Sequence, residues 1–225
     1  MNRATTHLAR VLPLAVRKLG ALLVVSLLLP GAGRLPVVAA AHASSNEGEI
    51  ALSAEAAESA AEKLRQIREP STGRSSATIQ FSEEEVNSYL DYELAPRYPA
   101  GVSKVSVRFL PGRLLGTAEV DFDKAKAARR APGGMMDYLF WGVHTLSVEG
   151  GFSAVNGVGQ FDLEAVSLDG VALPRTLVDF LMDAYLKPRF PGLDIDRPFP
   201  LPHSIDRVQV LRERIEAVVK PRVAE

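Results

Sequence analysis

Beyond residue 76 the apolar positions change period several times, and each change predicts an element. The run Phe81-Ser82-Glu83-Glu84-Glu85-Val86 carries two helix-start devices. Ser82 with Glu85 three residues on is a capping box, and Phe81 and Val86 occupy the two positions of a hydrophobic staple around it. Three acids in the first turn also suit the helix dipole. Val86, Tyr89, Leu90 and Leu94 continue an apolar face at helical spacing until Pro96 and Pro99 stop it. The period then drops to two. Val105, Val107 and Phe109 alternate with Ser106 and Arg108. Pro111-Gly112 turns the chain, and Leu114, Gly116, Ala118, Val120 and Phe122 alternate with polar partners. This predicts an antiparallel hairpin with one apolar face.

A second hairpin follows. Leu146, Val148, Phe152 and Ala154 share one side of a strand interrupted by Gly150-Gly151, a pair that marks a bulge or bend. Asn156-Gly157 is a strong hairpin turn. Phe161, Leu163 and Ala165 alternate after it, and at Val166 and Leu168 the apolar residues switch parity, as a twist or second bulge would require. Asp169-Gly170 turns again. Pro174 suits a first helical turn. Leu177, Phe180, Leu181, Ala184 and Tyr185 give an apolar face that Val178, Met182 and Leu186 widen, and Pro188 ends it. Residues 188–202 form a Pro-rich connector. The stretch 208–219 fits either one helix or two short strands around a turn at residues 212–214, and periodicity slightly favours the helix.

Upstream, residues 49–69 are rich in Ala, Glu, Lys and Arg and predict a helix. Its apolar stripe is thin (Leu52, Ala56, Ala60, Leu64, Ile67), which favours a surface helix or spacer. Residues 1–18 are basic and polar, residues 19–29 form an uncharged apolar run, Pro30 and Gly31 break it, and Ala41 and Ala43 form a small-x-small cleavage pattern. That layout predicts a cleaved secretory signal. A membrane anchor, which needs about 20 consecutive apolar residues, is the alternative, and Pro30 and Arg34 interrupt it. The expected organisation is a signal peptide at 1–43, a helical leader and linker at 44–76, an α+β domain at 77–220 and a tail at 221–225, exported to the periplasm, cell envelope or extracellular space.

Charge and cysteine usage then narrow the function. The first 43 residues carry five cations and no acid, so their removal takes the net charge from −1 to −6. An acidic domain without a sustained basic run is a poor fit to nucleic acid. With no cysteine there is neither a thiolate metal site nor a cysteine nucleophile, and stability must come from the core.

Patterns of catalytic chemistry are few. His144 and His203 are far apart and in no metal-binding spacing, and there is no G-x-S-x-G elbow. Asp121 with Asp123, and Asp194 with Asp196, offer two carboxylates each where a divalent cation takes about six or more ligands, so exposed turn charge accounts for them better. Asn87 lies inside the capped helix, where Asn is a poor former, and reads as a structural hydrogen-bonding group. The expectation is a protein without catalytic residues, metal or cofactor.

The segments FSEEEVNSYL (81–90), VSKVSVRFLPGRLLGTAEVDF (102–122), GGFSAVNGVGQFDLEAVSLDGVALP (150–174) and LPHSIDRVQV (201–210) together resemble the LmeA-like phospholipid-binding proteins of the tubular lipid-binding (TULIP) superfamily. The resemblance covers most of residues 77–220, in one such unit where some relatives have two. It does not account for the helical leader or for residues 135–142. It implies an α+β fold in which a long curved antiparallel sheet wraps a helix, strands in place of a helix at 208–219, and binding or transfer of phospholipid or another apolar ligand, with the membrane surface as a further partner. No catalytic residue is carried over. Strand parity and helix face nominate Val105, Val107, Phe109, Leu146, Val148, Phe152, Phe161, Leu163, Leu177, Phe180 and Leu181 as lining an apolar groove. A scaffold or protein-interaction module with a closed core is the alternative.

Overall fold

The computed structural model describes residues 50–69, 75–128, 140–183, 197–201 and 204–221. The fold is α+β: among the described residues, a nine-stranded, open antiparallel sheet with a few helices. The elements are α1 (Ala54–Arg68), β1 (Ala77–Ser82), α2 (Glu83–Tyr89), β2 (Val102–Leu110), β3 (Arg113–Asp121), α3 (Phe122–Ala127), β4 (Val143–Val155), β5 (Val158–Leu168), β6 (Val171–Ala172), α4 (Arg175–Leu181), β7 (Phe199–Pro200), β8 (Ile205–Leu211) and β9 (Arg214–Val219). The signal-like residues 1–43, most of 135–142, the far half of the helix expected to end at Pro188, and Asp194 and Asp196 lie outside the described residues. Among the described residues no helix is long and apolar enough to cross a membrane.

The long strand β4 organises the sheet. β5 lines one edge, from Leu146↔Leu168 to Val155↔Val158. On the other edge β3 pairs over Asp121↔Val143 to Arg113↔Gly151, and β8 takes over at Ala154↔Val208. The hairpins β2–β3 and β8–β9 therefore sit end to end along one strand. The Gly112 amide donates to the Val210 carbonyl at 3.0 Å, and the Gly112 carbonyl accepts from Phe152 at 2.9 Å, joining them. β1 completes the far side against β9. The C-terminal segment is thus two strands, as the resemblance implied and against its slight helical period.

Turn chemistry fixes both expected hairpins. Asn156 and Gly157 have φ of 54° and 76°, and Asp169 and Gly170 have 50° and 79°. Two successive left-handed residues make the turn whose twist matches the flanking strands. Pro111 precedes Gly112, whose φ is 70°, an arrangement suited to a type II turn.

The parity switch in β5 is a bulge. Glu149 pairs with Ala165 and Gly150 with Leu163, so Glu164 is the extra residue. Phe161, Leu163, Val166 and Leu168 thereby share the apolar face, and Ala165 turns outward and is exposed. The inserted residue lies on the partner strand, across from the Glu149–Gly150 step, next to the Gly150-Gly151 pair that the sequence nominated. Gly150 is required for a different reason: a Cβ there would come within 2.5 Å of both the Asp162 carbonyl and the Phe161 ring. Lys104 in β2 and Asp206 in β8 are likewise extra residues in their ladders.

The helical leader is part of the core, not a surface spacer. Ser53 caps α1 by accepting from the Ala56 amide at 3.1 Å, and Arg65 and Arg68 occupy its last turn. Ala57, Ala60, Leu64 and Ile67 are buried, the last three completely. Ala60, Leu64 and Ile67 share one core cluster with Phe81, Val86 and Leu90 and with β8 and β9 residues Ile205, Val208, Val210 and Ile215. Polar groups tie the helix down: the Lys63 ammonium and the Ser59 hydroxyl both donate to Glu85, and the Ser53 amide donates to the Ser88 hydroxyl at 3.0 Å. α2 has the expected capping box, with the Phe81 and Val86 staple residues both buried. It runs on through a π turn at Leu90–Leu94 and a 3-10 turn at Ala95–Arg97.

Two boundaries differ from expectation. Phe122 leaves the β3 alternation to begin α3, because Asp121 caps the helix by accepting from the Lys124 amide at 3.0 Å. β1 was not foreseen at all.

Candidate functional site: the apolar face of the sheet

The apolar face of the sheet divides into two unlike parts. Under α1 and α2 it is sealed. Val107, Phe109, Phe152 and Phe161 are 2–4% exposed within the large core, and Val105 packs half-buried at its margin. Under α4 it is looser. Val166, Val178 and Met182 form a small buried cluster, against which Leu146, Val148, Leu163 and Leu173 are only half-buried. Beside it Phe122, Phe140 and Leu181 form a third cluster, flanked by half-buried Val120, Leu168, Leu173 and Phe180. Val148 and Leu163 touch both the large core and the second cluster, so the surface is continuous from one part to the other.

Of the eleven nominated residues, the structure brings Leu146, Val148, Leu163, Phe180 and Leu181 to the α4 end. It places Val107, Phe109, Phe152 and Phe161 in the sealed core. Leu177 is half-buried on α4. The buried face of α4 is set by Val178, Leu181 and Met182, one residue round from the face that the sequence nominated. Val166, Phe122 and Phe140 also belong to this end and were not nominated. For Val166 the parity switch was the available signal.

Polar groups at the α4 end hold the start of β4. The His144 Nδ1 is 2.5 Å from the Asp169 carboxylate, and its Nε2 is 2.6 Å from the Trp141 carbonyl. The hydrogen bonds from the ring to Asp169 first, and to the Trp141 carbonyl second, raise the His144 pKa above its ordinary 6.5. Asp169 is correspondingly lowered, by its bond to His144 and then by the Thr145 amide. Asp121 and Asp123 have local duties: one caps α3, and the other accepts from the Gly142 amide at 3.0 Å. Among the described residues no group of three or more His, Asp or Glu could hold a metal ion.

No protein-family model matches the chain, and a search of curated proteins finds no match.

Proposed function

We propose that the chain is an exported, non-enzymatic binder or carrier of phospholipid or another apolar ligand in the cell envelope. One observation carries the reading. Where α4 packs on the sheet, Leu146, Val148, Leu163 and Phe180 remain only half-buried beside the small clusters of Val166, Val178 and Met182 and of Phe122, Phe140 and Leu181. Leaving aliphatic and aromatic surface in water costs roughly 25 cal/mol per Å², a cost that an acyl chain laid along the face would remove. The resemblance to the LmeA-like family supports the same ligand class. It also supports a curved sheet wrapping a helix.

The sealing of Val107, Phe109, Phe152 and Phe161 under α1 favours the second reading, a scaffold module with a closed core. Native mass spectrometry of the exported protein, with organic extraction of whatever it carries, separates the two. A stoichiometric adduct of lipid mass is expected. A bare mass, with no uptake from added phospholipid vesicles, would leave the scaffold reading.

A further inference from the structure

His144 stands between two acceptors. On one side is the Asp169 carboxylate and on the other the Trp141 backbone carbonyl, at 2.5 and 2.6 Å. Neither has a proton to give, so both contacts are hydrogen bonds only when both ring nitrogens carry hydrogen. Asp169 cannot readily turn away. Its other oxygen accepts from the Thr145 amide at 2.8 Å, and its own amide donates to the Thr145 carbonyl at 2.8 Å. Turn geometry pins it too, with left-handed φ at both Asp169 and Gly170.

On the other side of the ring the chain is tied to α3, whose Phe122 amide donates to the Gly142 carbonyl at 2.9 Å. Residues 140–142 approach β4 with the Phe140 ring stacked on Phe122 at 5.1 Å and the Trp141 side chain 66% exposed. α3 supplies the charged groups bonded to this segment: Lys126 donates to the Phe140 carbonyl, and Asp123 accepts from the Gly142 amide. Asp121 faces α3 itself, capping it and pairing with Lys124. The Phe122 ring lies against His144 at 5.8 Å.

We propose that His144 is a proton-operated latch: doubly protonated, it ties the Trp141 carbonyl to the β5–β6 turn, and on losing one proton it releases Trp141 while keeping Asp169. The choice of bond follows from charge. A hydrogen bond to a carboxylate is roughly twice as strong as one to a neutral carbonyl, so the remaining proton stays on Nδ1. The bare Nε2 lone pair then faces the Trp141 carbonyl oxygen and repels it. Histidine is the side chain whose ordinary titration falls between pH 5 and 8, and the two acceptors move this one upward from 6.5. The latch is closed at mildly acidic pH and opens as pH rises through the raised value. It adjoins the cluster of Phe122, Phe140 and Leu181, so opening loosens the α4 end of the apolar face. It operates whether or not that face binds a ligand.

The chain has a single tryptophan, so Trp141 reports on its own release without a label. Acrylamide quenching and emission maximum are followed from pH 5 to 9 on the full chain. Wild type should show a one-proton step to greater quenching, with its midpoint above 6.5. His144→Gln should abolish the step, and Asp169→Asn should move its midpoint downward. A wild-type profile without a step, or the same step in His144→Gln, overturns the latch. If circular dichroism shows that His144→Gln does not fold, Asp169→Asn decides: an unshifted midpoint overturns the proposal equally.

Discussion

The Asn87 side chain takes the place of a neighbouring strand for Val107. Its carbonyl accepts from the Val107 amide at 2.7 Å, and its amide donates to the Val107 carbonyl at 2.8 Å and to the Glu83 carbonyl at 2.7 Å. Two positions on, the Phe109 amide donates to the Glu83 carboxylate. The outer edge of β2 is thus satisfied by helix α2 where an unpaired edge would invite pairing with another chain. Asn87 is 2% exposed, so water cannot replace it. Asn87→Ala leaves two buried backbone groups without partners and should cost about 2–4 kcal/mol. Urea denaturation measures this. A loss under about 0.5 kcal/mol, the range of an ordinary surface change, would mean that β2 does not depend on this pairing.

Leu64 tests whether α1 belongs to the core. It is fully buried against the sheet. Leu64→Ala should cost about 2–5 kcal/mol, and exposed Glu58→Ala on the same helix should stay within about 0.5 kcal/mol. Equal, small effects at both positions would return α1 to the status of a detached leader.

The contrast between elements that were readable in the sequence and those that were not has physical causes. Both long hairpins were legible because period-two alternation and left-handed turn residues point the same way, as at Asn156-Gly157. The α1 face was not, because two of its four buried residues are alanines. Small side chains give little hydrophobic signal yet let a helix come close to the sheet. β1 carries only two large apolar residues, Ile79 and Phe81, and Phe81 also serves the α2 staple. On α4 the sets 177/180/181 and 178/181/182 are both apolar, so period could not choose between them and packing did. The apolar face was therefore legible in strand parity, and only the helices above it decide which part is sealed.

The paired glycines of β4 should respond unequally. Gly150→Ala forces a Cβ within 2.5 Å of a backbone carbonyl and of the Phe161 ring, whereas at Gly151 the nearest atom is the Glu164 carboxylate at 3.7 Å. Overpacking a closed site typically costs about 1–3 kcal/mol, so thermal denaturation should show a clear loss for the first variant and a small change for the second. Equal midpoints would show that Phe161 can move off Gly150 freely.

Glu85 makes the α1–α2 contact acid-sensitive. Burial raises its pKa, but donors from Lys63, Ser59 and the Ser82 amide together outweigh burial and hold it below the ordinary 4.5. A lowered carboxylate stabilises the fold above its unfolded value and loses that contribution as pH falls through its folded value. Glu85→Gln should be less stable than wild type at pH 7, and the gap should narrow below pH 4.5. Denaturation midpoints at both pH values check this, and a gap independent of pH would remove the ion pair from the account.

Phe180 and Phe109 separate binding from folding. Phe109 is 2% exposed in the sealed core, and Phe109→Asp places a carboxylate there with no counter-charge, a change that buried sites resist by unfolding or by keeping the acid neutral. Phe180 is half-buried at the edge of the α4 end, where a carboxylate can reach water. Phe180→Asp should stay folded, with a small drop in melting temperature, and should lose apolar ligand in extraction and native mass spectrometry. A folded Phe180→Asp protein that retains its full lipid adduct would move the binding face away from α4. A wild type that carries no adduct, beside a Phe180→Asp variant that fails to fold, would make this end of the sheet a structural core.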